Sequence, residues 1–212
     1  KVLGNDILFY YTKRTDLSYT VNYLEQDTNI KLKDSKVVNN QTFESIVTET
    51  AIEIEGYNKV ITEENITIKV TGNEINFYYT KRSDLSYTVR YLEQGTNQEL
   101  SREKVVENQT FGETVTETAI EIEGYNKVND TETIVVKVSG NEINFYYIKK
   151  NDLSYRVEYY YNNVIDNEQT EIVNNQVFGT VIDEYTDKVK DGYKLDRVET
   201  LPMTVGVTEN VV

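Results

Sequence analysis

A tandem repeat is the feature that most constrains how this chain can fold. Leu17-Ser18-Tyr19 recurs as Leu85-Ser86-Tyr87 and as Leu153-Ser154-Tyr155, so the repeat length is 68 residues. Residues 15–82 and 83–150 align without a gap and are identical at 47 of 68 positions. Solenoid units span about 20–45 residues, so a repeat of this length predicts a small domain with its own core in each copy.

The repeat also predicts where the domains begin and end. The motif Asn5–Tyr11 (NDILFYY) recurs as NEINFYY at Asn73 and at Asn141. The linkers between copies are short, charged and free of Gly and Pro, which predicts an elongated rod with limited bending. The chain is therefore predicted to hold the tail of a preceding repeat in residues 1–14, complete repeats in 15–82 and 83–150, and a diverged repeat with a truncated last strand in 151–212.

Composition excludes several classes of protein. With 36 acidic and 22 basic side chains, the net charge is −14, and such a surface repels nucleic acid and anionic membranes. The chain has no Cys and no His, which excludes thiol nucleophiles, imidazole bases and disulfide bonds. No apolar stretch approaches the roughly 20 residues of a membrane helix, so no membrane insertion is expected in this segment.

The residue pattern within one repeat predicts an α+β module. Apolar and polar residues alternate over residues 18–23 and 75–79, which is typical of half-buried strands. Thr110 and Glu113 form a capping-box pattern, which predicts about two turns of helix over residues 113–119. With further strands near residues 30–38 and 66–70, the expected order is strand, strand, short helix, strand, strand.

Four motifs recur in a fixed order. In the second repeat they are YTVRYLEQGTN from Tyr87, NQTFG from Asn108, IEGY from Ile122 and INFYY from Ile143. Together they resemble the mucin-binding-protein (MucBP) repeat of Gram-positive surface adhesins. The resemblance covers both complete repeats and most of the third, which departs from it at the segment YYYNN from Tyr159.

The resemblance to MucBP repeats implies a fold and a function. It implies tandem β-grasp-like (ubiquitin-like) modules in an extracellular protein that is anchored to the cell wall. It also implies host mucin, or the glycans of mucin and other glycoproteins, as the partner. We expect such contacts to need no cofactor.

The acidic residues do not predict a catalytic or metal site. Acid–base catalysis needs a pair of carboxylates in a cleft, whereas Glu53 and Glu55 alternate along a predicted strand and face solvent, so the chain is predicted not to be an enzyme. Asp27-Thr28-Asn29 offers oxygen ligands for calcium, but Gly95 replaces Asp27 in the second copy. We interpret these residues as turn formers and expect no metal. An internal Lys–Asn crosslink is not expected either, because no strand lysine persists through all three copies.

Tyrosines are the strongest candidates for ligand contact. Tyr78 lies out of phase with the apolar positions of its strand, and Tyr10 and Tyr146 take the same place in their copies. An exposed tyrosine offers an apolar face and a hydroxyl, which suits stacking on a sugar. The alternative is that these rings cover the short helix or a neighbouring domain. The run Tyr159, Tyr160 and Tyr161 is a further candidate, while the core is predicted to take Tyr19, Tyr23, Tyr57 and Tyr79.

Two functions from different classes fit the sequence. The first is an adhesin segment, monomeric, that binds mucin-type glycans weakly and many times over, since tandem copies raise the effective concentration. The second is a structural stalk that projects another domain from the cell wall, which near-identical copies with short linkers suit equally well. Loss of binding on substitution of the exposed tyrosines would distinguish the adhesin from the stalk.

Overall fold

The computed structural model describes residues 4–208 and 210–212, and its regular structure is entirely β. The described residues form eighteen strands and no helix. The predicted α+β class, with one short helix in each β-grasp-like module, is therefore wrong.

The first repeat contains six strands in two sheets. Strand β6 runs parallel to β1, from Thr20 opposite Glu74 to Glu25 opposite Tyr79. The larger sheet has the order β2-β1-β6-β4, and β3 pairs with β5 in a separate antiparallel sheet. The strands are β1 (Leu17–Glu25), β2 (Lys31–Gln41), β3 (Ile46–Thr50), β4 (Tyr57–Lys59), β5 (Glu63–Thr67) and β6 (Glu74–Lys81).

The second repeat has the same arrangement. Its larger sheet has the order β10-β12-β7-β8, with β12 parallel to β7, and β9 pairs with β11. Its strands are β7 (Leu85–Glu93), β8 (Glu99–Gln109), β9 (Thr114–Thr118), β10 (Tyr125–Lys127), β11 (Thr131–Val135) and β12 (Glu142–Lys149).

The segment predicted as a helix is strand β9 together with the turn before it. Glu113 N–H donates to Thr110 O at 3.1 Å, and Val136 N–H donates to Glu113 O at 2.8 Å, so Glu113 is part of a turn and a β ladder. Burial alternates along β9 with a period of two, because Val115 points inward between exposed threonines. Threonine and valine lose rotamer freedom in a helix and pack well on a pleated strand. This preference outweighs the capping-box signal.

The third repeat is less regular. Strand β13 (Leu153–Val157) pairs with β16 (Glu171–Gln176), and Arg156 pairs in parallel with Val211, at the register that Thr20 and Glu74 occupy in the first repeat. This pairing is a single bridge outside the named strands, and the truncated last strand stays a prediction. The remaining strands are short: β14 (Tyr160–Tyr161), β15 (Val164–Ile165), β17 (Val181–Ile182) and β18 (Met203–Thr204).

The chain divides into two compact units whose limits differ from those of the repeats. One unit holds the chain up to Ser86 with Glu107–Glu113 and Val135–Gly140, and the other holds Tyr87–Val106, Thr114–Ile134 and Asn141–Val212. The domain limits read from the repeat stay a prediction.

Each complete repeat has its own core, built from the inward faces of its two parallel strands. In the first repeat, Tyr23 and Phe77 stack with ring centroids 6.4 Å apart, and Tyr91 and Phe145 stack in the second repeat at 6.1 Å. Tyr57 is half-buried and packs against the first core, which consists of Leu17, Tyr19, Val21, Tyr23, Ala51, Ile68, Ile75, Phe77 and Tyr79.

A buried asparagine joins the start of β6 to β1. Asn73 Nδ2 donates to Ser18 O at 3.0 Å and to Lys69 O at 2.8 Å, while its Oδ1 accepts from Lys69 N–H at 2.8 Å. Asn210 makes the equivalent bonds in the third repeat, to Ser154 O and Gly206. These bonds satisfy backbone groups that would otherwise be buried without partners.

In the part of the chain that the structure describes, no helix is long and apolar enough to cross a membrane.

Candidate functional site

Tyr146 lies on the outer face of the larger sheet of the second repeat. Successive side chains of a strand point to opposite faces, so Ile143, Phe145 and Tyr147 enter the core while Asn144 and Tyr146 face outward. Tyr146 is 37% exposed, so part of the residue is accessible to a ligand.

Residues on both sides of β12 flank Tyr146. Tyr146 stands opposite Leu92 of β7, and Asn144 stands opposite Arg90. On the other side, Val128 N–H donates to Tyr146 O at 2.9 Å, which places Val128 beside the tyrosine. We call these five residues (Arg90, Leu92, Val128, Asn144 and Tyr146) the outer-face patch. It combines an aromatic ring, apolar neighbours, an amide and a guanidinium.

The outer-face patch contains an unsatisfied hydrogen-bond acceptor. Asn144 Oδ1 is buried and has no hydrogen-bond partner. In the first repeat, the equivalent Asn76 Oδ1 accepts from Asn22 Nδ2 at 2.8 Å. Arg90 replaces Asn22 in the second repeat, and its guanidinium lies 3.4 Å from carboxylate oxygens of both Glu103 and Glu142. A buried acceptor without a partner costs free energy, so the Asn22–Asn76 pair of the first repeat is the better satisfied arrangement.

The structure places the three equivalent tyrosines in different surroundings. Tyr78 is half-buried, beside the satisfied Asn22–Asn76 pair. Tyr10 is 88% exposed in a segment that pairs with no strand among the described residues. The outer-face environment with a free acceptor is therefore found only around Tyr146 among these three residues.

Two of the three candidate tyrosines in the run 159–161 donate hydrogen bonds to backbone oxygens. The Tyr159 hydroxyl donates to Thr186 O at 3.3 Å, and the Tyr161 hydroxyl donates to Lys188 O at 2.9 Å. The ammonium groups of Lys188 and Lys190 lie 5.1 Å and 4.7 Å from the centroids of the two rings. These contacts attach the extended segment 186–190 to the repeat.

Tyr160 is the member of this run that remains open to solvent. Its side chain is 58% exposed, and its hydroxyl donates to Glu158 Oε2 at 2.7 Å. Its neighbours in the run point elsewhere, so the structure does not assemble the three tyrosines into one binding surface.

Each complete repeat contains a hydrogen-bonded tyrosine, glutamate and lysine. In the first, the Tyr19 hydroxyl donates to Glu49 at 2.6 Å, and Lys36 Nζ donates to the same carboxylate at 2.7 and 2.9 Å. Burial and the hydrogen bond to Glu49 raise the pKa of Tyr19 to about 12. Burial alone would raise the pKa of Glu49, but the hydrogen bonds from Lys36 and Tyr19 outweigh it and lower the pKa. The group is a partly exposed ion pair whose carboxylate also accepts a hydrogen bond from a buried tyrosine.

Stability is expected to fall between about pH 10 and about pH 12. Tyr19 and Tyr87 ionise with an ordinary pKa of 10.0 in the unfolded chain, and their pKa is about 12 when folded. Because the folded-state pKa is raised, the stabilisation is complete below the unfolded pKa and is lost as pH rises through the folded pKa. Tyrosinate absorbance and far-ultraviolet circular dichroism, recorded together against pH, measure this loss.

The matched variant for this titration is Tyr19→Phe, which keeps the ring and removes the ionisable hydroxyl. The variant should lose less stability than the parent over the same pH range. An identical alkaline transition in the two proteins would contradict the assignment of the transition to this hydroxyl.

A phenylalanine packs on a Gly-Tyr dipeptide in two places. In the first unit, Phe111 lies edge-on against Tyr57, with ring centroids 5.8 Å apart. Its ring occupies the space that a Cβ on Gly56 would take. In the second unit, Phe178 makes the same contact with Tyr125 at 5.7 Å and with Gly124. These residues belong to the repeated NQTFG and Gly-Tyr motifs or to their diverged equivalents, so the repeat indicates that they matter. The sequence does not indicate that the phenylalanine contacts the Gly-Tyr dipeptide.

The backbone conformation of the turn at Asp27 explains which residues occupy it. Asp27 has φ 69° and Asn29 has φ 56°, while the equivalent Gly95 has φ 89°. Asp, Asn and Gly are the residues that adopt this region at least cost. Within residues 4–208 and 210–212, no group of three or more acidic side chains is placed to hold a metal ion.

Comparison with known proteins gives no family assignment. No family model matches the chain, and no curated protein matches it. Among solved structures, the chain is similar to the type 2 repeat of the mucus binding protein MUB from Lactobacillus reuteri, with 11% identity, 63% of this chain and 99% of that chain covered, and a TM-score of 0.24.

Two further solved structures show a comparable likeness. The first is the Bacillus anthracis TIE protein, with 13% identity, 68% of this chain and 35% of that chain covered, and a TM-score of 0.37. The second is SHIRT domains 3-4 from a streptococcal cell surface protein, with 12% identity, 63% and 98% covered, and a TM-score of 0.22. These neighbours include repeat domains of mucus-binding and cell-surface proteins, but TM-scores this low do not establish a common fold.

Proposed function

We propose that this chain is part of an extracellular adhesin, anchored to the cell wall, whose repeats bind mucin-type glycans weakly and many times over. The sequence resemblance to MucBP repeats supports the class of ligand. The outer-face patch of the second repeat supports a location for the contact. Tyr10, Tyr78 and Tyr160 are weaker candidates for ligand contact, and Tyr159 and Tyr161 act through the fold of the third repeat.

The observation that carries this proposal is the exposed Tyr146 side chain on the outer face of the sheet, with Arg90 on the neighbouring strand. The C–H face of a pyranose stacks on the tyrosine ring, as apolar faces of ligands do on aromatic side chains. Arg90 donates to a ligand oxygen, for which a guanidinium offers several N–H groups. The two groups stand on adjacent strands, β12 and β7.

Weak contacts of this kind gain strength from repetition. A single shallow site on an open sheet face encloses little of its ligand, so its affinity is low. Tandem modules on one chain convert later contacts with the same mucin into intramolecular ones. The mechanism therefore relies on avidity.

The test is binding of the full chain to immobilised mucin and to a panel of its glycans. Tyr146→Ala is expected to weaken binding about tenfold, equivalent to about 1.4 kcal/mol of stacking energy. Tyr78→Ala is the matched control, because Tyr78 is half-buried and the first repeat has Asn22 where the second has Arg90. It should change binding much less.

A second variant tests the role of the guanidinium. Arg90→Asn gives the second repeat the residue that the first repeat has at Asn22. Binding should weaken although the ring is untouched, because the variant lacks the Arg90 donor. Unchanged mucin binding by Tyr146→Ala combined with Tyr78→Ala would count against the outer-face patch as the site.

A structural stalk is the second candidate, and the recurring phenylalanine contacts favour it. Phe111 on Gly56 and Phe178 on Gly124 fix the chain in the same way at two successive positions. A stalk needs such contacts and needs no open aromatic ring. If the full chain binds neither mucin nor any glycan of the panel, the stalk is the better explanation.

A further inference from the structure

Arg90 of the outer-face patch stands between two carboxylates, Glu103 of β8 and Glu142 of β12. Its Nε lies 3.4 Å from Glu103 Oε2, and its Nη2 lies 3.4 Å from Glu142 Oε1. The three side chains are between 44% and 47% exposed, so a ligand on the outer face can reach them. We call Arg90, Glu103 and Glu142 the charged triad.

The charged triad is unfavourable for an anionic ligand group. It combines one positive and two negative charges, which leaves a net charge of −1, and the whole chain carries −14. A carboxylate or sulfate that approaches Arg90 must come within a few ångströms of both glutamates, and like charges at that distance repel each other even in water. The positive charge of Arg90 is therefore not available to attract an anion.

The charged triad suits the hydroxyl groups of a neutral sugar. A guanidinium offers several N–H donors, and a carboxylate offers several acceptor positions. The two distances of 3.4 Å exceed the about 2.7–2.9 Å of a charge-assisted hydrogen bond, so the ion pairs leave donor capacity on Arg90. Neighbouring hydroxyls of one pyranose can accept from Arg90 and donate to Glu142 at the same time, and they add no charge.

The first repeat has no such triad. Its equivalent residues are Asn22, Ser35 and Glu74. The Ser35 hydroxyl donates to Asn22 Oδ1 at 2.6 Å, and Asn22 Nδ2 donates to Asn76 Oδ1 at 2.8 Å. These polar groups satisfy one another, and the guanidinium and one of the two carboxylates are missing. The charged triad is thus a difference between two repeats that are otherwise closely alike, and Glu74 offers a matched control for Glu142.

We propose that the charged triad makes the second repeat selective for neutral sugars. It favours a pyranose with free neighbouring hydroxyls and disfavours one that carries the carboxylate of a sialic acid or a sulfate ester. Tyr146 contacts the apolar face of the sugar, while Arg90 and Glu142 bind two neighbouring hydroxyls. Glu103 and Glu142 together repel an anionic group and so determine specificity. This inference rests on the proposed function, because it concerns the same patch.

NMR titration of the full chain, labelled with nitrogen-15, tests the proposal with soluble monovalent glycans. The ligands are a galactose–N-acetylgalactosamine disaccharide and the same disaccharide with a terminal sialic acid or with a sulfate ester. The Arg90 Nε–H signal reports on this site, so binding elsewhere on the chain and avidity do not enter the measured affinity. The neutral disaccharide is expected to bind about threefold more tightly than either acidic form, as repulsion between charges several ångströms apart in water predicts.

Glu142→Gln separates the effect of charge from that of position. The substitution should raise the affinity for the acidic forms, relative to the neutral form, by about threefold. If Glu142 only held Arg90 in place, the substitution would change all the affinities alike. Glu74→Gln changes the net charge of the chain by the same amount, but in the first repeat, so it should leave the affinity ratio at Arg90 unchanged. Both glutamates are exposed, so neither variant should unfold.

The outcomes distinguish a failure of this inference from a failure of the proposed function. Equal or tighter binding of an acidic form by the parent chain would overturn the inference and leave glycan binding in place. Equal effects of Glu142→Gln and Glu74→Gln on the affinity ratio would do the same. If the Arg90 signal responds to none of the three ligands, the outer-face patch is not a glycan site, and the inference fails together with it.

Discussion

Replacing Phe77 with alanine is expected to cost about 3–5 kcal/mol of the free energy of unfolding of the first repeat. Phe77 is fully buried, stacks on Tyr23 and lies in the middle of β6. A domain of this size has a free energy of unfolding of only about 3–5 kcal/mol. The repeat should therefore be largely unfolded in the variant, with loss of part of the far-ultraviolet β signal before any urea is added.

The chain supplies its own control for this substitution. Phe9 is the equivalent residue of the preceding copy of the motif, but it is 75% exposed. Phe9→Ala should change the free energy of unfolding by no more than about 0.5 kcal/mol, because an exposed side chain makes few packing contacts. Equal losses from Phe9→Ala and Phe77→Ala in urea titrations would show that the burial described for Phe77 is incorrect.

The second large effect is expected from Gly56→Ala, at about 2–4 kcal/mol. Gly56 has φ +80°, which L residues adopt only with strain, and the new Cβ would overlap the ring of Phe111. Gly72→Ala separates these two causes. Gly72 has φ +73°, but no atom lies within 4 Å of the position of its Cβ. In urea titrations, Gly56→Ala should lose more free energy of unfolding than Gly72→Ala. The difference between the two losses measures the energy of the overlap with Phe111.

Phe111→Ala completes a double-mutant cycle with Gly56→Ala. If the ring causes the overlap, the double variant should be less destabilised than the sum of the single variants, because removing the ring leaves room for the methyl group. Additive losses would mean that strain at φ +80° is the whole effect. The equivalent cycle can be measured at Gly124 and Phe178, which make the same contact.

Part of the candidate site could be predicted from the sequence. The alternation of Ile143, Phe145 and Tyr147 with Asn144 and Tyr146 already indicated that Tyr146 faces away from the core, because side chains alternate along any strand. The role of its neighbours could not be predicted in this way. Arg90 lies 54 residues before Asn144 along the chain, and only the parallel register of β7 and β12 makes them neighbours. Register is set by long-range packing.

The third repeat shows the same limit. The sequence indicated that Tyr159, Tyr160 and Tyr161 form an aromatic run and made them candidates for ligand contact. In the structure, the hydroxyls of Tyr159 and Tyr161 each donate a hydrogen bond to a backbone oxygen 27 residues further along the chain. Nothing in the local sequence identifies these partners, because they depend on how the extended segment 186–190 returns to the repeat.

The sequence by itself determined the repeat, the inward phase of the strands and the buried positions of Tyr19, Tyr23 and Tyr79, since these follow from identity at a fixed spacing and from a period of two. The tertiary structure decided that residues 114–118 are a strand. There, a local capping signal competed with the β preference of threonine and valine, and pairing of β9 with β11 satisfied the backbone in the extended state. The tertiary structure also decided which asparagine is left with a buried, unpaired acceptor and which glycine lies under a phenylalanine. Both outcomes depend on a residue more than 50 positions away along the chain, Arg90 for Asn144 and Phe111 for Gly56, where the free energy of packing rather than local preference selects the neighbour.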